Sequence, residues 1–172
     1  MMTEASNVTP INSMPLDELR DAFFRCSGSN VWTESMLGAK PFQDHSTLFA
    51  NSNSSWQTLT KSDWFEAFKI HPRIGDIESL RKKFASTAAW ASNEQAGASH
   101  APEKVLKELH EGNDDYEKRF GYIFIVCATG KSAAEMLKIL KERLHNDPDT
   151  EFAIACEEQK KITDLRLDKL LQ

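Results

Sequence analysis

Cysteine is scarce in this chain, and the three that occur, Cys26, Cys127 and Cys156, form no CxxC pair and no alternating Cys/His pattern. A disulfide framework and a structural zinc site are therefore unsupported, and buried reduced thiols are the expectation. Apolar runs long enough to span a bilayer are missing, and the first residues show no basic stretch followed by an apolar core. A soluble protein with no membrane partner is expected. The last residues, Asp168-Lys169-Leu170-Leu171-Gln172, differ from the Ser-Lys-Leu peroxisomal address, which makes the cytoplasm the expected compartment. An excess of positive charge is also absent: 21 Lys and Arg stand against 26 Asp and Glu, mixed along the chain, for a formal net charge of -5. That balance lacks the electrostatic footprint of a nucleic-acid binder.

What is present is a pattern of helices. With 172 residues, 40% of them hydrophobic, the chain fits one compact domain over 1–172, with 1–11 expected as a flexible N-terminal tail. Leu16, Leu19, Phe23 and Phe24 recur at three- and four-residue spacing and mark one helical face. Val31 to Leu37 forms an apolar segment closed by Gly38, whereas Asn51-Ser52-Asn53-Ser54-Ser55 is turn-prone and reads as a loop or helix end. Thr60 with Asp63 reads as a cap for a helix carrying Trp64, Phe65 and Phe68, which Pro72 obliges to stop at His71. A helix over Ala88 to Ala96 and a longer one opened by Pro102 and reaching Phe120 come next. Ser132 with Glu135 makes a capping box, and Asp147-Pro148 starts the last helix. The exception is Tyr122 to Ala128, a β-branched and aromatic run between Gly121 and Gly130, read as buried and extended. The fold class is all-α, a single multi-helix domain with an irregular apolar segment near 122–128.

Candidates for chemistry are few. Gly130-Lys131-Ser132 lacks the earlier glycine of a phosphate loop, since position 125 is Ile, and a capped helix start accounts for it. His45, His100, His110 and His145 have no partner at metal-ligand spacing. His71 stands in the run His71-Pro72-Arg73-Ile74-Gly75-Asp76. Two readings fit it: a histidine capping its helix, or an acid/base group whose imidazolium the helix C-terminus favours. Trp90 and Glu94 share a helical face, with Gln95 beside them. A carboxylate next to an amide suits the donors and acceptors of a ureido group, and equally suits a solvated helix surface. Arg166, in Leu165-Arg166-Leu167, is either a surface arginine covering apolar neighbours or an anion clamp.

Six segments occur in order: Ile11-Asn12-Ser13-Met14, Lys40-Pro41-Phe42, His71 to Asp76, Ser92-Asn93-Glu94-Gln95-Ala96-Gly97, Tyr116 to Tyr122, and Lys161 to Leu167. Together they resemble the 2-oxo-4-hydroxy-4-carboxy-5-ureidoimidazoline (OHCU) decarboxylase family over nearly the whole chain, from about Asn12 to Leu171. The resemblance implies an all-α homodimer that uses no metal or organic cofactor. Its substrate is a small anionic ureidoimidazoline, which loses CO2 to leave S-allantoin. It implies His71 as the catalytic histidine, with Glu94 as its polar partner or a ureido acceptor. Pro72 and Gln95 become substrate contacts, and the backbone of Phe124, Ile125, Val126, Cys127 and Ala128 a ligand-touching segment. Arg166 takes the substrate carboxylate. The sequence departs from the family where some members carry serine at Ala91, arginine at Thr129 and arginine at Lys40. Two other functions compete: a non-catalytic helical interaction module, and a hydrolase acting on another ureido compound.

Overall fold

Helices begin in this chain where a short polar side chain can take a free amide. A computed structural model describes residues 7–71 and 103–172, and all regular structure among the described residues is helical. In chain order the helices are α1 (Thr9–Ser13), α2 (Leu16–Ser27), α3 (Asn30–Gly38), α4 (His45–Gln57), α5 (Lys61–Lys69), α6 (Glu103–Phe120), α7 (Ala133–Arg143) and α8 (Pro148–Leu170). Ser29 and Asp44 cap α3 and α4, accepting from the amides of Trp32 and Thr47. Ser132 forms the capping box read from the sequence, and Thr60, read as a cap, forms one as well, with Glu135 and Asp63 returning the bond.

The residues fall into two compact units, one running to Ile70 and resuming at Cys156–Gln172, the other running from His71 to Ala155. The first has an aromatic core. Trp32 meets Phe23 edge-on at 5.7 Å and packs at a tilt on Trp56 at 5.6 Å, and Trp56 stacks on Trp64 at 4.6 Å. Such pairs each contribute about 0.5 to 1.5 kcal/mol beyond the apolar area they bury. In the second unit α6 packs on α7 at a point where Gly112 has no side chain. A Cβ there would lie 2.6 Å from Leu140 Cδ2, so close packing explains a residue that otherwise weakens a helix by about 1 kcal/mol.

Two expectations are corrected. The polar run Asn51 to Ser55 lies inside α4. Its side chains find partners that leave the helical backbone intact: Asn51 Nδ2 donates to the Thr47 carbonyl at 2.9 Å and Ser55 pairs with Ser35 at 2.7 Å. Of the expected tail, residues 1–6 lie outside the described residues, and residues 9–11 are helix, with Val8 and Ile11 buried. Asn12 then grips Phe42 at two points, donating to its carbonyl at 2.7 Å and accepting from its amide at 2.9 Å. Lys40 Nζ donates to the Met14 carbonyl at 2.8 Å. The first two sequence segments that carry the family resemblance are therefore bound to each other, and for a single carbonyl a lysine point donor suffices where a fork would be redundant.

Candidate active site

His71 follows directly on α5, whose last residue is Lys69 and whose C-cap is Ile70. The buried face of Trp64, Ala67 and Phe68 fixes that helix in its unit. Its far end is fixed by a glycine. Gly28 caps α2 with φ +71, and a Cβ on it would stand 2.6 Å from Ile70 Cγ2 and 2.8 Å from the Ala67 carbonyl oxygen. Only a residue that is bare and accepts the left-handed conformation fits there. The chain is thus held one residue before His71, which is itself half-buried. Pro72, Glu94 and Gln95 lie outside the described residues, as do Ala91 and the helix read over Ala88 to Ala96.

The run expected to be buried and irregular is so: residues 123–128 belong to neither helix nor strand, and Phe124, Ile125 and Cys127 are buried. Side chains impose its course in place of regular hydrogen bonding. Arg143, buried in the last turn of α7, donates from Nη1 to the Ile125 carbonyl at 2.7 Å, and Lys131 Nζ donates to the Cys127 carbonyl at 2.8 Å. The Arg143 guanidinium also lies over the Phe124 ring, 4.7 Å from its centroid. Among the described residues, the backbone groups of Phe124 and Val126 have no hydrogen-bond partner, so they remain available to a ligand.

Arg143 is neutralised by Glu151, which is fully buried in the first turn of α8 and accepts from Arg143 Nε at 2.7 Å. Glu151 also accepts from the Tyr116 hydroxyl and, on its other oxygen, from Asn146 Nδ2 at 3.0 Å. Burial and the bond to Glu151 push the Tyr116 phenol well above its usual range, so it stays a neutral donor. Sequence reasoning missed Arg143 and Glu151. A basic residue at a helix C-terminus and an acidic one at a helix N-terminus look like ordinary dipole partners, and no local signal marked them as a buried pair.

Arg166 belongs to the unit that contains α2. Gln159, Thr163 and Arg166 lie at positions i, i+4 and i+7 of α8 and meet three successive carbonyls at the end of α2. Gln159 reaches Ser27 at 3.3 Å, Thr163 reaches Cys26 at 3.0 Å and Arg166 reaches Arg25 at 2.9 Å. One Arg166 N–H is thus committed to closing a helix end, where a cation is favoured. Burial pushes the neighbouring Cys26 thiol up to about 12, against the opposing pull of Arg166 and Arg25, so it is no nucleophile at neutral pH. Among the described residues, no group of three or more His, Cys, Asp or Glu is placed to hold a metal ion. No described helix is long and apolar enough to cross a membrane.

Comparison with known proteins gives a consistent result. A family model described as OHCU decarboxylase matches residues 12–168. The chain is 36% identical over 159 residues to the uric acid degradation bifunctional protein TTL of Arabidopsis thaliana, covering 91% of this chain and 48% of that protein, so it spans about half of that relative's length. It is 27% identical to the 2-oxo-4-hydroxy-4-carboxy-5-ureidoimidazoline decarboxylase of Amia calva, covering 94% of this chain and 93% of that one. A crystal structure of OHCU decarboxylase in the presence of (S)-allantoin superposes with a TM-score of 0.70 at 38% identity, covering 88% of this chain and 97% of that chain.

Proposed function

The chain belongs to the OHCU decarboxylase family, and from that premise we propose that it converts 2-oxo-4-hydroxy-4-carboxy-5-ureidoimidazoline to S-allantoin in urate degradation. The observation that carries this reading is the extent of the match. Residues 12–168 include His71, Pro72, Glu94, Gln95, Phe124 to Ala128 and Arg166.

The substrate bears a carboxylate and a hydroxyl on one ring carbon, beside the carbon that carries the ureido group. When the bond to the carboxylate breaks, its electron pair moves into a double bond between those two carbons and the ring imine nitrogen gains a proton. Protonation of the ureido-bearing carbon and loss of the hydroxyl proton then give the carbonyl of allantoin. The neighbouring ring imine accepts the electrons, so the chemistry asks the protein for orientation, charge stabilisation and a proton delivered to one face. In this reading His71 is the acid/base at the hydroxyl and carboxylate. Glu94 is its partner or the ureido acceptor, Gln95 orients, and Pro72 stiffens the turn. The free peptide groups of Phe124 and Val126 suit the donors and acceptors of the heterocycle. Arg166, one N–H of which is on the Arg25 carbonyl, is the residue to which the family resemblance gives the carboxylate. On the family resemblance alone, the reading extends to a cofactor-free homodimer in the cytoplasm.

The test is to generate the substrate with uricase and hydroxyisourate hydrolase, add the protein, and follow the circular dichroism of the allantoin formed. S-allantoin is expected to form faster than by spontaneous decay, which gives racemate. His71→Asn is expected to lose about 10^2 to 10^4 of that acceleration. An inert wild type overturns the reading and returns the chain to a binding module, while a fully active His71→Asn overturns the role of His71.

A further inference from the structure

The ligand-facing stretch near residue 125 has no regular hydrogen-bonding ladder to hold it, yet two of its carbonyls are taken by cationic side chains. We propose that Arg143 is a positioning residue for the decarboxylation, holding the Ile125 carbonyl so that the peptide groups of Phe124 and Val126 face the substrate. The proposal rests on the decarboxylase reading of the site.

Three observations support it. Arg143 is buried and its charge is met by a wholly buried Glu151, so it costs desolvation of two ions where an apolar pair of similar volume suffices for packing. What an apolar pair cannot do is hold a carbonyl. The planar guanidinium reaches Glu151 through Nε and the Ile125 carbonyl through Nη1, both at 2.7 Å. The same plane covers the Phe124 ring, which Tyr116 meets edge-on at 5.3 Å. Backbone and side chain of the segment are thus fixed by one rigid group. Asn146 and Tyr116 complete the bonding of Glu151, so the pair has a single orientation.

The experiment compares KM with kcat in two variants. Arg143→Lys keeps the charge opposite Glu151 but replaces the fork with a point donor. The double variant Arg143→Met with Glu151→Gln removes both charges together and leaves no lone buried ion. In each, KM for the decarboxylation is expected to rise by about tenfold and the excess of S over R product to fall, because free peptide groups held out of place bind the substrate less well. A merely structural role lowers the folded fraction, and with it kcat, but leaves KM and the stereochemistry of the remaining turnover unchanged. KM within about twofold of wild type in both variants overturns the proposal.

A measurement on the wild-type protein remains decisive if neither variant folds. In a titration with S-allantoin, the amide resonances of Phe124 and Val126 are expected to shift, and stationary amides there, with shifts elsewhere, sink the proposal. The two failures are distinguishable. A wild type that does not accelerate the reaction overturns the decarboxylase reading, whereas an active wild type with unmoved KM in the variants overturns only the role of Arg143.

Discussion

The two units satisfy backbone carbonyls that no helical bond takes by opposite means. In the unit with α2, three carbonyls at a helix end are met by Gln159, Thr163 and Arg166, two of them neutral side chains, around a core of stacked aromatics. In the other, an irregular segment is met by a buried guanidinium whose charge a buried carboxylate balances. The difference follows from what each backbone presents. A helix end offers successive carbonyls on a regular curve, which residues at helical spacing on a neighbouring helix can reach one by one. An irregular stretch offers single carbonyls with no repeat, so each needs its own donor: Lys131 for Cys127, and for Ile125 the rigid fork of Arg143, anchored by Glu151. Support for these carbonyls in the first unit is therefore spread over three modest contacts, and in the second its buried part falls to one charged pair.

That contrast sets the largest expected effect. Glu151→Gln leaves the Arg143 cation buried without its counter-ion and is expected to cost about 3 to 5 kcal/mol in denaturant unfolding. A loss below about 1 kcal/mol would mean that water or a rearranged Asn146 rescues the charge, and the contrast between the units would disappear. Thr163→Val removes the neutral bond to the Cys26 carbonyl and the one accepted from Gln159 Nε2 and leaves shape unchanged, so about 1 to 2 kcal/mol is expected by the same measurement. A loss equal to that of Glu151→Gln would show that the α2 end is as concentrated a support as the buried pair.

The smallest effect is one in which the units should behave alike. The Thr47 amide bond to Asp44 in one unit, and the Thr150 side-chain and amide bonds to Asp147 in the other, hold both carboxyls below their usual range. A carboxyl whose folded pKa is depressed stabilises the fold above its unfolded value, near 4, and that stability fades as pH falls through the folded pKa. Asp44→Asn and Asp147→Asn should each flatten the acid limb of a thermal-midpoint against pH profile by a similar small amount. A flattening confined to one of them would show that acid unfolding starts in that unit.

Features whose cause lies within a few residues were legible in the sequence. The cap at Thr60 and the capping box of Ser132 with Glu135 need partners three apart, and the end of α5 before His71 needs only Pro72. The irregular run 122–128 was legible because it is a short β-branched and aromatic stretch bounded by Gly121 and Gly130. The same local logic misread Asn51 to Ser55, where Ser35, twenty residues away, supplies a partner that keeps the run helical. Arg166 was read as a clamp or a surface residue, and its bond to the Arg25 carbonyl, 141 residues distant, belonged to neither reading.

By itself, then, the sequence determined the all-α class, most helix boundaries and the family, since these depend on hydrophobic period, caps and ordered short motifs along one chain. Only the tertiary structure decided that Gly28 and Gly112 are spaces for Ile70 and Leu140, and that Arg143 and Glu151 form a buried pair under the irregular segment. Those outcomes depend on which side chains meet across helices. Arg143 and Glu151 are only eight residues apart, but the turn between α7 and α8 is what brings them together, and no periodicity within either helix encodes it.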